Sequence, residues 1–218
     1  MRLILKLTSN NELIPFNYQH FLIGIFHKWM DWNEIHDDIS LYSFSWLNGG
    51  ERLNNGLNFP KGAYWFISFY DESIGKQLIK GALKDPEMFN GICVREVNIK
   101  EEPRFTSKER LFTASPIVVR KYNDKGEAQY LLFNDSKSGK LISETLLSKM
   151  KKAGINYDIS VCFDHEYHNP KTKLVDIKGI KHKGNVCPVI LNGDPEAISF
   201  AWNVGLGHLT GSGFGALK

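Results

Sequence analysis

The stretch LYSFSWLNGGERLNNGLNFPKGAYWFISFY, residues 41–70, sets two short aromatic-rich runs, LYSFSWL (41–47) and YWFISFY (64–70), on either side of a polar, glycine-rich connection. Aromatic residues suit the pleated, half-buried surface of a sheet, and runs of this length predict two strands joined by a long hairpin loop. Toward the N-terminus, RLILKL (2–7) alternates as a strand. Phe21, Leu22, Ile25, Phe26 and Trp29 then recur at helical spacing, which predicts a helix from about Asn17 to Asp31. Toward the C-terminus, Ile74, Leu78, Ile79, Ala82 and Leu83 share one helical face, and GICVREVNIK (91–100) supplies a fourth strand. The first half reads β-α-β-β-α-β.

Pro103 in EEPRF marks a boundary, dividing the chain into residues 1–103 and 104–218. Beyond it, LFTASPIVVRKY and QYLLF read as strands joined by the turn NDKGEA. A helix over Ser138–Ala153 buries Leu141, Ile142, Thr145, Leu146 and Met150 and ends at Gly154. YDISVCF, KLVDIKGIK and VCPVILN follow as strands, and Asp194, Pro195 and Glu196 supply an N-cap, a first-turn proline and an acidic first turn for a last helix. The same order thus appears twice, less cleanly the second time. The expected fold is α+β, with two tandem ferredoxin-like domains of the kind that RNA-recognition modules also use.

The 218 residues suffice for two cores of about 100 residues each. The N-terminus MRLILKLTSNN is too short in apolar residues for a signal peptide or a membrane span, so a cytoplasmic protein is expected. Cys93, Cys162 and Cys187 stand far apart without zinc-type pairing and read as small buried hydrophobes. Net charge is only +3, but residues 137–183 carry ten Lys against five acidic side chains. That basic region includes Lys149, Lys151 and Lys152 near the end of the predicted helix. It suits phosphate neutralisation, or else is an ordinary solvated lysine face.

GLGHLTGSGFG (205–215) closes the chain with five glycines in eleven residues. Such a run lets the backbone take positive φ and lets consecutive amides form anion-binding nests. The plainer alternative is a turn leading into a final strand, FGALK. The spacing GxGxxxxxGxG, realised as Gly205, Gly207, Gly213 and Gly215, resembles the C-terminal signature of the CRISPR-associated endoribonucleases of the Cas6 family. IPFNYQHFLIGIFHKWM (14–30) is similar to that family's first helix, and TASPIVV (113–119) to its entry into the second domain.

The resemblance implies an RNA-cutting protein that cleaves CRISPR precursor RNA within its repeats. The 2′-hydroxyl would be the nucleophile, leaving 2′,3′-cyclic phosphate and 5′-hydroxyl ends and requiring neither metal nor cofactor. On the predicted helix, His27 falls opposite the apolar stripe, three residues after Gly24; by resemblance this is a catalytic position. His36, in the loop before LYSFSWL, stands where the family keeps its other acid or base. Gly205, Gly207, Gly213 and Gly215 would line the RNA, together with His208 and the lysines at 149, 151 and 152. Where some members carry a stabilising lysine, this chain has Ser40, with Lys28 the nearest cation. The expected partner is CRISPR repeat RNA. Association with other interference-complex subunits, and a monomeric or homodimeric state, are left open, as is the alternative of a catalytically silent repeat-binding subunit. The cluster DHEYH (164–168) has the residue types of a metal site but lacks the HExxH helical spacing, so no metal site is expected.

Overall fold

The computed structural model describes residues 1–30 and 39–218. Strand β1 (Arg2–Leu7) lies inside an antiparallel sheet whose other members are β2 (Tyr42–Phe44), β5 (Tyr64–Phe69) and β6 (Val94–Lys100), in the order β2-β5-β1-β6. Helix α1 (Gln19–Trp29) falls between β1 and β2, and α2 (Glu72–Lys84) joins β5 to β6. This is the split βαβ order the sequence predicts. The glycine-rich connection in residues 48–63 folds into a small hairpin of its own, β3 (Glu51–Leu53) and β4 (Gly56–Asn58).

Alternation along β1 sets the layers. Leu3, Leu5 and Leu7 join Trp65, Ile67 and Phe69 of β5 in a core covered by Leu22, Phe26 and Trp29 of α1 and by Leu78 and Ala82 of α2. The two helices touch where Gly81 spares the backbone of Trp29, since a Cβ there would stand 2.5 Å from the Trp29 carbonyl oxygen. Asp71 starts α2 by accepting the Ser73 N–H. Leu83, expected on the buried face, is exposed, because the stripe narrows to Ile74, Leu78 and Ala82 at i, i+4, i+8.

The opposite sheet face is buried too, although it is polar. Arg2, Ser43 and Ser68 pair across the strands on this side, each at most 4% exposed. Small serines leave room for helix α4 (Pro195–Val204) to approach, and Ser43 Oγ donates to the Asn203 carbonyl at 3.1 Å. The Arg2 guanidinium lies between the rings of Phe66 and Trp202, 3.8 and 3.6 Å from their centroids, and donates to Ser68 Oγ and to the Leu217 carbonyl, both at 2.7 Å. The two halves are therefore riveted through a buried cation stacked on aromatic faces.

In the second half, β7 (Lys108–Leu111), β10 (Ile159–Phe163) and β13 (Val189–Gly193) form an antiparallel sheet in the order β10-β13-β7. The C-terminus extends it beyond β7, where Phe112 and Lys218 exchange backbone hydrogen bonds of 3.0 and 2.8 Å. Helix α3 (Ser138–Lys152) packs on β10, and α4 follows β13. The order of the first half recurs with its last strand reduced to a bridge, Thr113 to Leu217.

Two hairpins depart from the expected strands. LFTASPIVVRKY and QYLLF yield only β7 and the small pair β8 (Arg120–Tyr122) and β9 (Ala128–Tyr130). KLVDIKGIK is not a core strand: β11 (Lys171–Ile177) pairs with β12 (Ile180–Val186) as a separate hairpin. Lys171, Thr172, Lys173 and Leu174 are all exposed, and a strand open to water on both faces has no reason to enter a core sheet. Among the described residues no helix is long and apolar enough to cross a membrane.

Candidate active site

Helix α1 buries Gln19, Leu22, Ile25, Phe26 and Trp29, which turns His20, Ile23, Gly24 and His27 outward. These four residues form one wall of a cleft of about 560 Å³ that is completed by Lys28, Tyr42, Ile177, Lys178, Gly211 and Ser212. The cleft is thus built from α1, the end strand β2, the tip of the β11–β12 hairpin and the glycine-rich tail. His27 is half-buried there, edge-on to the Phe26 ring at 5.6 Å between centroids. His36 lies outside the described residues.

Several hydroxyls crowd the floor. A side chain on Gly211 would collide with Ser40 Oγ and stand 2.9 Å from the Tyr42 hydroxyl, so both hydroxyls press on the backbone of the tail. Burial pushes the Tyr42 phenol up, opposed by its hydrogen bond with Ser40. Lys28, the alternative cation to the position held by Ser40, is engaged elsewhere: its Nζ lies 2.9 Å from Asp85 Oδ2 and donates to the Glu87 carbonyl at 2.5 Å.

The glycine-rich tail does not present its signature glycines to the cleft. Gly205, Gly207, Gly213 and Gly215 are all buried, and each is hemmed in by the protein's own atoms. A Cβ on Gly205 would stand 2.8 Å from both the Gly215 carbonyl oxygen and the Ser43 Cβ. On Gly207 it would strike the Val118 carbonyl, on Gly213 it would come 2.7 Å from the Phe44 ring, and on Gly215 it would strike the Leu206 carbonyl. At Gly213 and Gly215, φ values of 79° and 70° exclude ordinary side chains as well. The four glycines expected to line the RNA are packed inside the fold. These glycines let the tail thread between the two halves, and the residues it offers to the cleft are Gly211 and Ser212, on the 3₁₀ turn Thr210–Ser212.

Lys149, expected among the lysines that meet the RNA, has its place inside the fold. Instead of joining a solvated lysine face it is 5% exposed, and its Nζ donates to the carbonyls of Val204 and Gly205 at 3.0 and 3.3 Å and to Thr210 Oγ1 at 2.8 Å. Burial pushes its ammonium down to about 7. Lys151 and Lys152 remain on the exposed end of α3 and do not line the His27 cleft. His208 is also off the cleft. Its backbone N–H donates to the Val118 carbonyl, its buried Nδ1 has no hydrogen-bond partner, and burial, followed by the charge of Arg120, lowers its pKa.

Lys178 is the residue sequence reasoning missed. Lys178 and Gly179 form the two-residue loop between the paired Ile177 and Ile180, with φ of 52° and 85°. Positive φ at both positions is the geometry of a type I′ hairpin turn, and Asp176 Oδ1 accepts the Gly179 N–H at 2.8 Å. The signal was the dipeptide Lys-Gly between apolar neighbours, weak because Asn or Asp is the usual first residue of such a turn. In the DHEYH run, Asp164 is held by Arg110 at 2.6 Å and accepts the Glu166 N–H. Arg110 holds the Asp164 carboxyl below the usual carboxylate range, against the opposing effect of burial. This run forms a turn closed by an ion pair.

The same fold occurs in solved structures. A Cas6-related protein of Pyrococcus furiosus superposes with a TM-score of 0.89 at 22% identity, covering 100% of this chain and 97% of its own. A CRISPR-associated protein Cas6 gives 0.85 at 23% identity, covering 100% and 98%. A RAMP protein described as binding different RNA substrates gives 0.88 at 20% identity, again covering 100% and 98%. No curated protein sequence matches. Residues 99–218, more than half of the chain, match the family described as CRISPR associated protein Cas6, C-terminal. With the tandem ferredoxin-like fold, that match shows that the chain belongs to the Cas6 family of CRISPR-associated proteins.

Proposed function

We propose that this protein is a metal-independent endoribonuclease that cuts CRISPR precursor RNA within its repeats. The observation that carries the reading is the placement of His27 on the outer face of α1, in a cleft walled by the Gly211–Ser212 turn and by Lys178 from the second half of the chain. RNA brings its own nucleophile. A base removes the proton of the 2′-hydroxyl, and the 2′-oxygen attacks the adjacent phosphorus. The bond to the 5′-oxygen then breaks as an acid protonates it, which leaves a 2′,3′-cyclic phosphate and a 5′-hydroxyl. Imidazole titrates in the range such a relay needs.

His27 takes one of the two proton-transfer roles and His36 the other. Lys178 supplies positive charge to the phosphorane, assisted by the backbone amide of Gly211. Guide RNA is the product, and repeat RNA is the partner. The exposed lysines at 151 and 152 serve the RNA at a distance from the cleft, through its phosphates.

The test uses a cognate repeat RNA, with cleavage and binding measured separately. His27→Ala and His36→Ala each lower the cleavage rate by about 10²–10⁴-fold, with repeat binding retained and with activity of the wild type undiminished in EDTA. A wild type that binds the repeat and never cuts it would identify a silent RNA-binding subunit instead.

A further inference from the structure

A second groove, of about 540 Å³, continues the His27 cleft along the same two elements. It is bordered by residues 16–19 at the start of α1 and by residues 173–176 of β11, whereas the cleft takes up at His20 on the helix and Ile177 on the strand. The two spaces thus share one seam between the halves of the chain. Gln19 and His27 are eight residues apart on α1, about 12 Å along the helix axis, a span that a few nucleotides can cover.

The groove carries two cation-on-ring pairs. Arg52 of the β3–β4 hairpin sits 4.6 Å from the Phe16 ring centroid, and Lys173 of β11 sits 5.2 Å from that of Trp46. Phe16 is 41% exposed, Leu174 is 65% exposed and Leu57 is half-buried beside them. Trp46 is locked in place because its indole N–H donates to the Gly213 carbonyl at 2.9 Å. Asp176, the one acidic residue bordering the groove among the described residues, has a carboxylate oxygen already engaged by the turn at Gly179. Apolar rings that each carry a flexible cation over one face suit a nucleobase that takes the cation's place on the ring and leaves the cation to a flanking phosphate, the combination by which single-stranded RNA is held without a duplex.

We infer that the groove between Phe16, Trp46 and Lys173 is a stacking subsite for one unpaired nucleotide of the substrate RNA, a few nucleotides from the scissile phosphate. The inference rests on the ribonuclease reading of the neighbouring cleft, which it extends from chemistry to substrate recognition. Arg52 and Lys173 neutralise the phosphates on either side of the stacked base. The subsite makes the chain sensitive to the presence of a base at one position and tolerant of which base it is, since every base has a π-face.

The experiment is an abasic scan. A cognate repeat RNA carrying a 2′-deoxy group at the cleavage site, so that it binds without being cut, is made with single abasic positions on both sides of that site. Its affinity is measured for the wild type, Phe16→Ala and Lys173→Gln. In the wild type one position near the cleavage site weakens binding about tenfold when its base is removed. In Phe16→Ala the intact RNA already binds about tenfold more weakly and removal of that one base costs nothing further, while other abasic penalties persist. Lys173→Gln weakens binding to the intact RNA and flattens its salt dependence. Wild-type affinity in both variants, or an unchanged penalty at every position in Phe16→Ala, overturns the subsite alone. A wild type that neither binds nor cuts the repeat overturns the ribonuclease reading together with it.

Discussion

Lys149 Nζ donates a 2.8 Å hydrogen bond to Thr210 Oγ1, joining the inner face of α3 to the first residue of the turn that carries Gly211 and Ser212 into the His27 cleft. The same ammonium also binds two carbonyls at the C-terminal end of α4, where the helix dipole favours a cation. Burial outweighs that preference and lowers the pKa to about 7, against 10.5 for a free lysine. Between those two values the unfolded chain holds the proton and the folded chain releases it, so the contribution of Lys149 to stability rises with pH from about 7 toward 10.5. Below 7 the full cost of the buried charge is present. Thermal unfolding of the wild type and of Lys149→Met checks this. The wild type gains on the variant between pH 7 and 9.5, with a limiting slope of about 1.4 kcal/mol per pH unit. Parallel curves would show that Lys149 stays charged in the fold throughout that range.

The signature glycines and the cleft glycines are expected to fail in different ways. Gly215→Ala forces a left-handed φ on an alanine and drives its methyl into the Leu206 carbonyl, and Gly213→Ala meets the buried Phe44 ring. Each substitution costs about 2 kcal/mol or more, which for a chain of this length lowers the melting temperature by roughly 4–8 °C. RNA binding and cleavage fall together with stability, and low temperature restores both in part. Melting curves set beside cleavage assays at 10 and 37 °C test the point.

Gly24 makes the opposite case. It sits in the middle of α1, exposed, and a Cβ there meets nothing within 4 Å. Gly24→Ala removes a helix-destabilising residue and raises stability by about 1 kcal/mol. Its methyl enters the cleft beside His27, so KM for the repeat increases. Gly24→Leu fills more of the cleft and cuts more slowly still, with the fold unharmed. A variant both more stable and fully active would mean that the scissile phosphate does not pass over Gly24.

The first half of the fold was legible because its signals are local and agree with one another. Leu3, Leu5 and Leu7 alternate, residues 64–69 are rich in aromatic side chains, and Ile74, Leu78 and Ala82 repeat at helical spacing. The second half was less so, because β11 carries a strand pattern without belonging to the core sheet, and only its tertiary position reveals that. The burial of Lys149 was written in the chain, since positions 142, 146, 149 and 150 make one helical stripe; the surrounding run KMKK concealed it. Glycine composition reports that a backbone can come close to something, and at Gly205, Gly207, Gly213 and Gly215 the close neighbour is the protein itself. His27 could be placed on the outer face of its helix from periodicity alone. Its neighbours in the cleft could not, because Lys178 and Gly211 come from segments more than 150 residues away.

That distance bears on where the positive charge of the proposed cleavage would come from. Three cationic or donor groups compete for the role. Lys28 is adjacent to His27 in sequence, but its ammonium is tied to Asp85 and Glu87 at the end of α2. Gly211 and Ser212 line the cleft, but the Ser212 N–H already donates to the Leu209 carbonyl at 2.9 Å, and a backbone amide carries only a partial charge. Lys178 stands on a two-residue turn whose backbone is fixed by Asp176 and Gly179, and it lines the same cleft as His27. A full charge on a rigid turn stabilises a developing phosphorane more than it stabilises the ground-state phosphate. Lys178→Ala is therefore expected to lower the single-turnover cleavage rate by about 10²-fold while changing repeat affinity only a few-fold. Lys178→Arg restores part of the rate, and Lys28→Ala leaves it near the wild-type value. If Lys178→Ala instead weakened binding and left the single-turnover rate intact, the lysine would be a phosphate anchor, and the charge would have to come from the Gly211–Ser212 turn.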